Sequence, residues 1–187
     1  MPDKNININT EQILPVVKYG DPILRKKVHK VDNFSNLNTI INQMYKTMYN
    51  ENGIGLAANQ VGLNLNILIL SIPLEGDDEN RVQFEFINAK ITDSSGESIM
   101  EEGCLSVPEI RAEIKRPESI TLKYQSRDER YHESTFTGIE SRVIQHEMDH
   151  LNGKLFIDYL PQSKKMLINK RLIEISKLGA PSTGIIL

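Results

Sequence analysis

The sequence predicts an α+β fold: mostly antiparallel sheets around a central helix that carries His146-Glu-Met-Asp-His150, with an N-terminal helix and a C-terminal helix. Three observations predict it. Leu37, Ile40, Ile41, Met44, Tyr45 and Met48 recur at helical spacing. Ser119 to Gln125 alternates Ile120, Leu122 and Tyr124 with polar residues, the pattern of a half-buried strand. Thr137-Gly-Ile-Glu140 has the form of a capping box and opens a second helical stripe of Ile144, Met148 and Leu151.

In chain order, residues 1–12 read as a flexible tail, and Asp21-Pro22 marks a turn. Ser35 or Asn36 can cap the first helix, and Asn52-Gly53 stops it. Leu65 to Ile72 is a short apolar strand. The acidic stretch Glu75 to Glu79 is expected to be a solvated loop, followed by a strand through Phe84, Phe86 and Ile91. Ser126 to Glu129 is a hairpin turn from the alternating strand into Tyr131 to Phe136. Asn152-Gly153 ends the central helix, and Pro161 opens the last one, with Met166, Leu167, Leu172, Ile173 and Leu178 as its apolar set. No repeat and no interdomain linker is visible, so residues 1–187 read as one domain, with 179–187 as a C-terminal tail.

Composition sets the outer limits. The chain has 22 Lys and Arg against 25 Asp and Glu, a net charge of −3, which supplies no overall positive field for specific DNA binding. The longest apolar run, Ile67 to Leu70, is far too short to span a membrane. The polar N-terminus has no apolar stretch of the kind a secretory or transit peptide carries. A single cysteine, Cys104, rules out an internal disulfide, and a reducing cytoplasm is the expected location.

The chemistry concentrates in three segments. In His146-Glu147-Met148-Asp149-His150 the two histidines stand one helical turn apart on one face and can chelate one divalent ion, with Glu147 placed as general base. Two exposed histidines on an amphipathic helix are the bland reading of the same residues. A hydrolytic site needs a third protein ligand and one open position. Candidates are Cys104, His29, His132 and the carboxylates, and Cys104 stands out in Glu101-Glu102-Gly103-Cys104-Leu105-Ser106-Val107-Pro108. There Gly103 is expected to allow a close backbone approach and Pro108 to end strand pairing. The acidic neighbours argue against a free nucleophilic thiolate, whereas metal ligation accommodates them. His29 and His132 have no partner motif and read as ordinary histidines.

Gly53-Ile54-Gly55-Leu56-Ala57-Ala58-Asn59-Gln60 contains G-x-G-x-x-A, but a helix precedes it and a strand follows, the reverse of a dinucleotide fingerprint. It reads instead as a small-residue loop near the site that presents backbone groups and the Gln60 amide, an oxyanion donor. A helix C-cap followed by a tight turn is the alternative.

Together, G-x-G-L-A-A-x-Q at 53–60, E-G-C-L-S at 102–106 and Q-H-E-x-D-H at 145–150 resemble the motifs of peptide deformylases, in that family's order, across about Tyr19 to Leu178. The resemblance implies removal of the formyl group from the N-terminal formyl-methionine of nascent polypeptides. It implies metal ligation by Cys104, His146 and His150, Glu147 as general acid and base, and binding of the formyl oxygen by Gln60 and the Leu105 N–H. It further implies backbone contacts to the peptide from Ile54 and Gly55, a methionine pocket including Val143, and a Glu102–Arg111 pair supporting the cysteine segment. The metal it implies is Fe(II), with Zn(II), Ni(II) or Co(II) as substitutes.

Arg142 falls where an apolar pocket residue is expected: either it turns outward, or it bears on substrate preference. Lys164, Lys165, Lys170, Arg171 and Lys177 on the last helix form a solvated face, or, as the sharper reading, a contact with the ribosome. Two rival readings are an H-E-x-x-H metallopeptidase and a non-catalytic metal-stabilised binding module. The latter wants a fourth protein ligand, and no second cysteine supplies it.

Overall fold

The computed structural model describes residues 12–74 and 77–179, with side chains described outside 75–79. The elements are α1 (Leu37–Asn50), β1 (Gly55–Ala57), β2 (Ile67–Leu74), β3 (Asp77–Ser95), β4 (Ser98–Cys104), β5 (Val107–Arg116), β6 (Ser119–Gln125), β7 (Tyr131–Thr137), α2 (Gly138–Leu151) and α3 (Gln162–Lys177), with short 3-10 turns between them. This is the expected α+β architecture. One antiparallel sheet has the order β1-β2-β3-β6-β7, and β4 and β5 form a separate hairpin.

The apolar run of β2 is unbroken because both of its faces are covered. Ile67 and Ile69 join the α1 side chains Ile41, Met44 and Met48 in one cluster. Leu68, Leu70 and Ile72 point the other way, to Val143, Ile144, Met148 and Leu151 of α2. Alternation along the strand thus serves two helices at once. A third cluster packs Val107, Ile110 and Ile114 of β5 against Phe156, Leu172 and Ile175. On α2, residues 141–148 with His150 and Leu151 are all buried, the signature of a helix enclosed on every side.

Several expectations are corrected. The acidic stretch is not a loop from Asp77 onward: β3 begins there, with Asp77 opposite Leu74, while residues 75–76 lie outside the described residues. Thr137 is the N-cap of α2 in extended conformation, but its side chain makes no capping bond. Neither does that of Asn36 on α1. Pro108 does not end pairing. It lies within β5, in an irregular stretch where the register passes from Cys104↔Val107 to Gly103↔Arg111 and Glu109 takes φ +64°. On α3, Met166, Leu167, Ile173 and Leu178 are exposed, and only Leu172 and Ile175 are buried. Residues 1–11 and 180–187, nearly all of the two expected tails, lie outside the described residues.

Segment 14–19 runs as a strap across the 3-10 turn that carries Gln60 and the tip of the β4–β5 hairpin. The Val17 N–H donates to Gln60 O at 2.8 Å, the Tyr19 N–H to Ser106 O at 2.8 Å, and Lys18 Nζ to Leu105 O at 3.0 Å.

Candidate metal centre and cleft

The buried helix α2 presents His146 and His150 one turn apart, their ring centroids 5.0 Å from each other. The β4–β5 hairpin delivers Cys104 at its tip. Cys104 Sγ lies 3.1 Å from His150 Nε2, and one ligand atom from each of the three residues falls within 4.8 Å of the others. Tetrahedral bonds of about 2.0–2.3 Å place ligand atoms some 3–4 Å apart, so the set suits one small divalent ion. Soft sulfur with two imidazoles fits Fe(II), Co(II), Ni(II) or Zn(II) and does not favour Mg(II) or Ca(II).

Glu147 follows His146 into the interior. It is 3% exposed, and its Oε2 is buried with no protein donor. Burial pushes its carboxyl up to about 7, with the nearby Glu102 charge acting the same way against the opposing pull of His146. A carboxyl so placed is poised to exchange a proton near neutral pH. His150 Nδ1 is also buried without a protein partner, and burial holds that imidazole well below its ordinary value.

Gln60 is oriented by the backbone. Its Oε1 accepts from the Ala57 N–H at 2.8 Å, which leaves Nε2 to donate toward Cys104 Sγ at 3.5 Å and Ser106 Oγ at 3.4 Å. The segment around it is β1 followed by a 3-10 turn over Ala58–Val61, rather than an open loop. The expected close approach falls at Gly55 and not at Gly103. A Cβ on Gly55 would stand 2.5 Å from Val143 Cγ1 and 2.7 Å from Glu147 Oε1, whereas one on Gly103 would meet nothing nearer than 3.6 Å.

Glu102 is buried, and its partners differ from those expected. Arg116 grips it with Nε to Oε1 at 2.6 Å and Nη2 to Oε2 at 2.9 Å, Arg142 Nη1 donates to Oε1 at 2.8 Å, and His146 Nδ1 meets Oε2 at 2.9 Å. Arg111 is instead exposed and touches Glu101 at 3.5 Å. Arg142 turns inward, 4% exposed, and not toward solvent. Arg116 also holds Asp149 at 2.6 Å and lies over the Tyr159 ring. Burial alone would raise the Glu102 carboxyl; the bonds from Arg116 and His146 outweigh it and bring the group down to about 2.

Gln60, Glu102, Cys104, Arg142, His146 and Glu147 line a cleft of about 600 Å³. Of the sequence-predicted set, Ile54, Gly55, Gln60, Glu102, Cys104, Leu105, Arg111, Val143, His146 and Glu147 all border it, and His150 stands behind them at the metal cluster. Sequence reasoning missed Lys18, Ile110 and Ile139 on its walls and Arg116 beneath it. The signal for Arg116 was its position in step with Ile110, Ala112 and Ile114, on the inward face of β5. His29 makes a backbone bridge to Leu65, and His132 stacks on Tyr124 and meets Ser126 Oγ at 2.8 Å, so neither approaches the cluster.

Comparison with known proteins gives one answer. A family model described as polypeptide deformylase matches residues 13–166. A peptide deformylase of Christiangramia forsetii is 42% identical over 177 residues, covering 88% of this chain and 90% of that protein. One from Zymomonas mobilis is 42% identical over 174 residues, covering 91% and 98%. The crystal structure of peptide deformylase from Thermus thermophilus superposes with a TM-score of 0.83 at 34% identity, covering 90% of this chain and all of that one. A Met-Ala-Ser-bound class I type b peptide deformylase from Acinetobacter baumannii gives 0.74 at 34%, covering 80% and 99%.

Proposed function

Because this chain belongs to the polypeptide deformylase family, a family of enzymes, we propose that it hydrolyses the formamide of N-formyl-methionyl peptides to formate and a free α-amine. The observation that carries this reading is the convergence of Cys104, His146 and His150 beside a buried carboxylate with one unpartnered oxygen, in a cleft large enough for a peptide end. The Acinetobacter relative bound to Met-Ala-Ser supports a peptide with N-terminal methionine as the product.

Cys104, His146 and His150 would hold the ion, Fe(II) in the cell, with zinc, cobalt or nickel able to substitute. When bound, a divalent ion supplies Lewis acidity, which acidifies water and polarises a carbonyl oxygen. The chain does the rest. Glu147 Oε2 accepts a proton from the attacking water as its oxygen bonds to the formyl carbon. Gln60 Nε2, locked by the Ala57 N–H, donates to the developing oxyanion together with the Leu105 N–H; one such donor is typically worth about 3–4 kcal/mol. Glu147 then delivers the proton to the departing nitrogen as the C–N bond breaks. Ile54 and Gly55 supply backbone contacts to the peptide, and Val143 with Ile139 forms the apolar wall for the methionine side chain. Glu102, held by Arg116, orients His146 through Nδ1, as a carboxylate behind a ligating histidine does.

We further read residues 1–187 as one catalytic domain acting in the cytoplasm on nascent chains, with the basic face of α3 touching the ribosome. No helix among the described residues is long and apolar enough to cross a membrane. The test is formate release from formyl-Met-Ala-Ser, assayed anaerobically with Fe(II), after chelation, and after Fe(II) is restored. Release that is lost and regained in step with the metal is expected. Absence of formate, or cleavage at internal peptide bonds instead, overturns the reading.

A further inference from the structure

Glu102 has two oxygens and three partners, and their division is uneven. Arg116 spans both oxygens with its fork. A fork alone does not distinguish them. Arg142 adds a second donor to Oε1 at 2.8 Å, so the free capacity of Oε2 is turned to His146 Nδ1 at 2.9 Å. Arg142 itself has little freedom. Its Nη1 also donates to Ile114 O at 2.8 Å, and its Nη2 donates to Ser98 O at 2.9 Å and Ser98 Oγ at 2.8 Å, which fixes the guanidinium against both strands of the β4–β5 hairpin. It stands one helical turn before His146, on the same face of α2. So much buried hydrogen bonding is more than an arginine on a pocket wall requires.

We propose that Arg142 is a positioning residue for the metal centre: by occupying Glu102 Oε1 it commits Oε2 to His146 and fixes the ring that must meet the ion. This rests on the reading of Cys104, His146 and His150 as ligands. An arginine that only stabilises the fold would shift unfolding and leave metal affinity alone. One that acts through Glu102 must lose its effect on metal once Glu102 no longer offers a carboxylate.

The experiment is a double-mutant cycle read as Co(II) affinity by competition with a chromophoric chelator, on the full chain, with urea unfolding of the same proteins as the structural baseline. Arg142→Met is expected to weaken Co(II) binding about 10–100-fold, the usual effect of removing support behind a ligand. In a Glu102→Gln background the same change is expected to weaken it by less than about 3-fold, since strongly coupled residues are not additive. Should Arg142→Met not fold, Arg142→Lys and Ser98→Ala carry the same cycle, with smaller losses that again vanish beside Glu102→Gln. Wild-type affinity in the Arg142 variants, or an equal loss in both backgrounds, overturns the proposal. A wild-type chain that takes up no Co(II) overturns the metal reading beneath it, and that result is distinct from a functioning site indifferent to Arg142.

Discussion

Glu147 shows how one side chain is prepared by its surroundings. Burial raises its carboxyl to about 7 and leaves Oε2 without a protein donor. Glu147→Ala is therefore expected to keep stoichiometric metal while deformylation falls about 10²–10⁴-fold, the range of a general acid–base residue; metal analysis beside a formate assay checks both halves. Gly55 is the complementary case. Its φ does not lie in the left-handed region, so the backbone would accept alanine, but the new Cβ would meet Val143 Cγ1 and Glu147 Oε1 far inside contact distance. Gly55→Ala should cost activity about 10²-fold by displacing the carboxylate. Steady-state rates at saturating peptide test this, and an unimpaired variant would show that Glu147 has room to move.

The helices and strands differ in how openly the sequence announced them. The stripe on α1 and the alternation of β6 were legible because each element shows one clear face to the core. On α3 the apolar residues did not mark the buried face. The helix lies against the β5 cluster along a narrow line, so Leu172 and Ile175 are covered while Leu167 is 83% exposed. Leu172→Ala should cost about 2–5 kcal/mol of stability and Leu167→Ala about 0.5 kcal/mol or less, as read by urea unfolding. The three site motifs were legible because ligand chemistry demands particular residue types at fixed spacing. The partner of Glu102 was not, because the irregular stretch between Val107 and Arg111 resets which β5 residues face inward. That reset puts Arg116 in step with Ile110, Ala112 and Ile114 on the inward face and leaves Arg111 outside, but only the folded hairpin shows which inward residue reaches Glu102.

At the scale of the whole molecule, the buried charges tie stability to pH. The Glu102 carboxyl falls from 4.5 to about 2 on folding, so its contribution is complete above the unfolded value and is lost as pH drops through the folded one. Between pH 5 and 2 the wild-type chain, kept in chelator, should lose up to about 3 kcal/mol more unfolding free energy than Glu102→Gln does over the same range. Parallel acid profiles for the two would remove Glu102 from the account. The strap from Leu14 to Tyr19 has a different consequence. It joins Gln60 and Ser106 early in the chain, while His146 and His150 arrive only with α2. The working arrangement therefore cannot be divided. On the proposed ligand set, a copy still being synthesised would hold the strap, the glutamine and the cysteine yet lack two of its three anchoring side chains, and would stay inert until the late helix had followed them out.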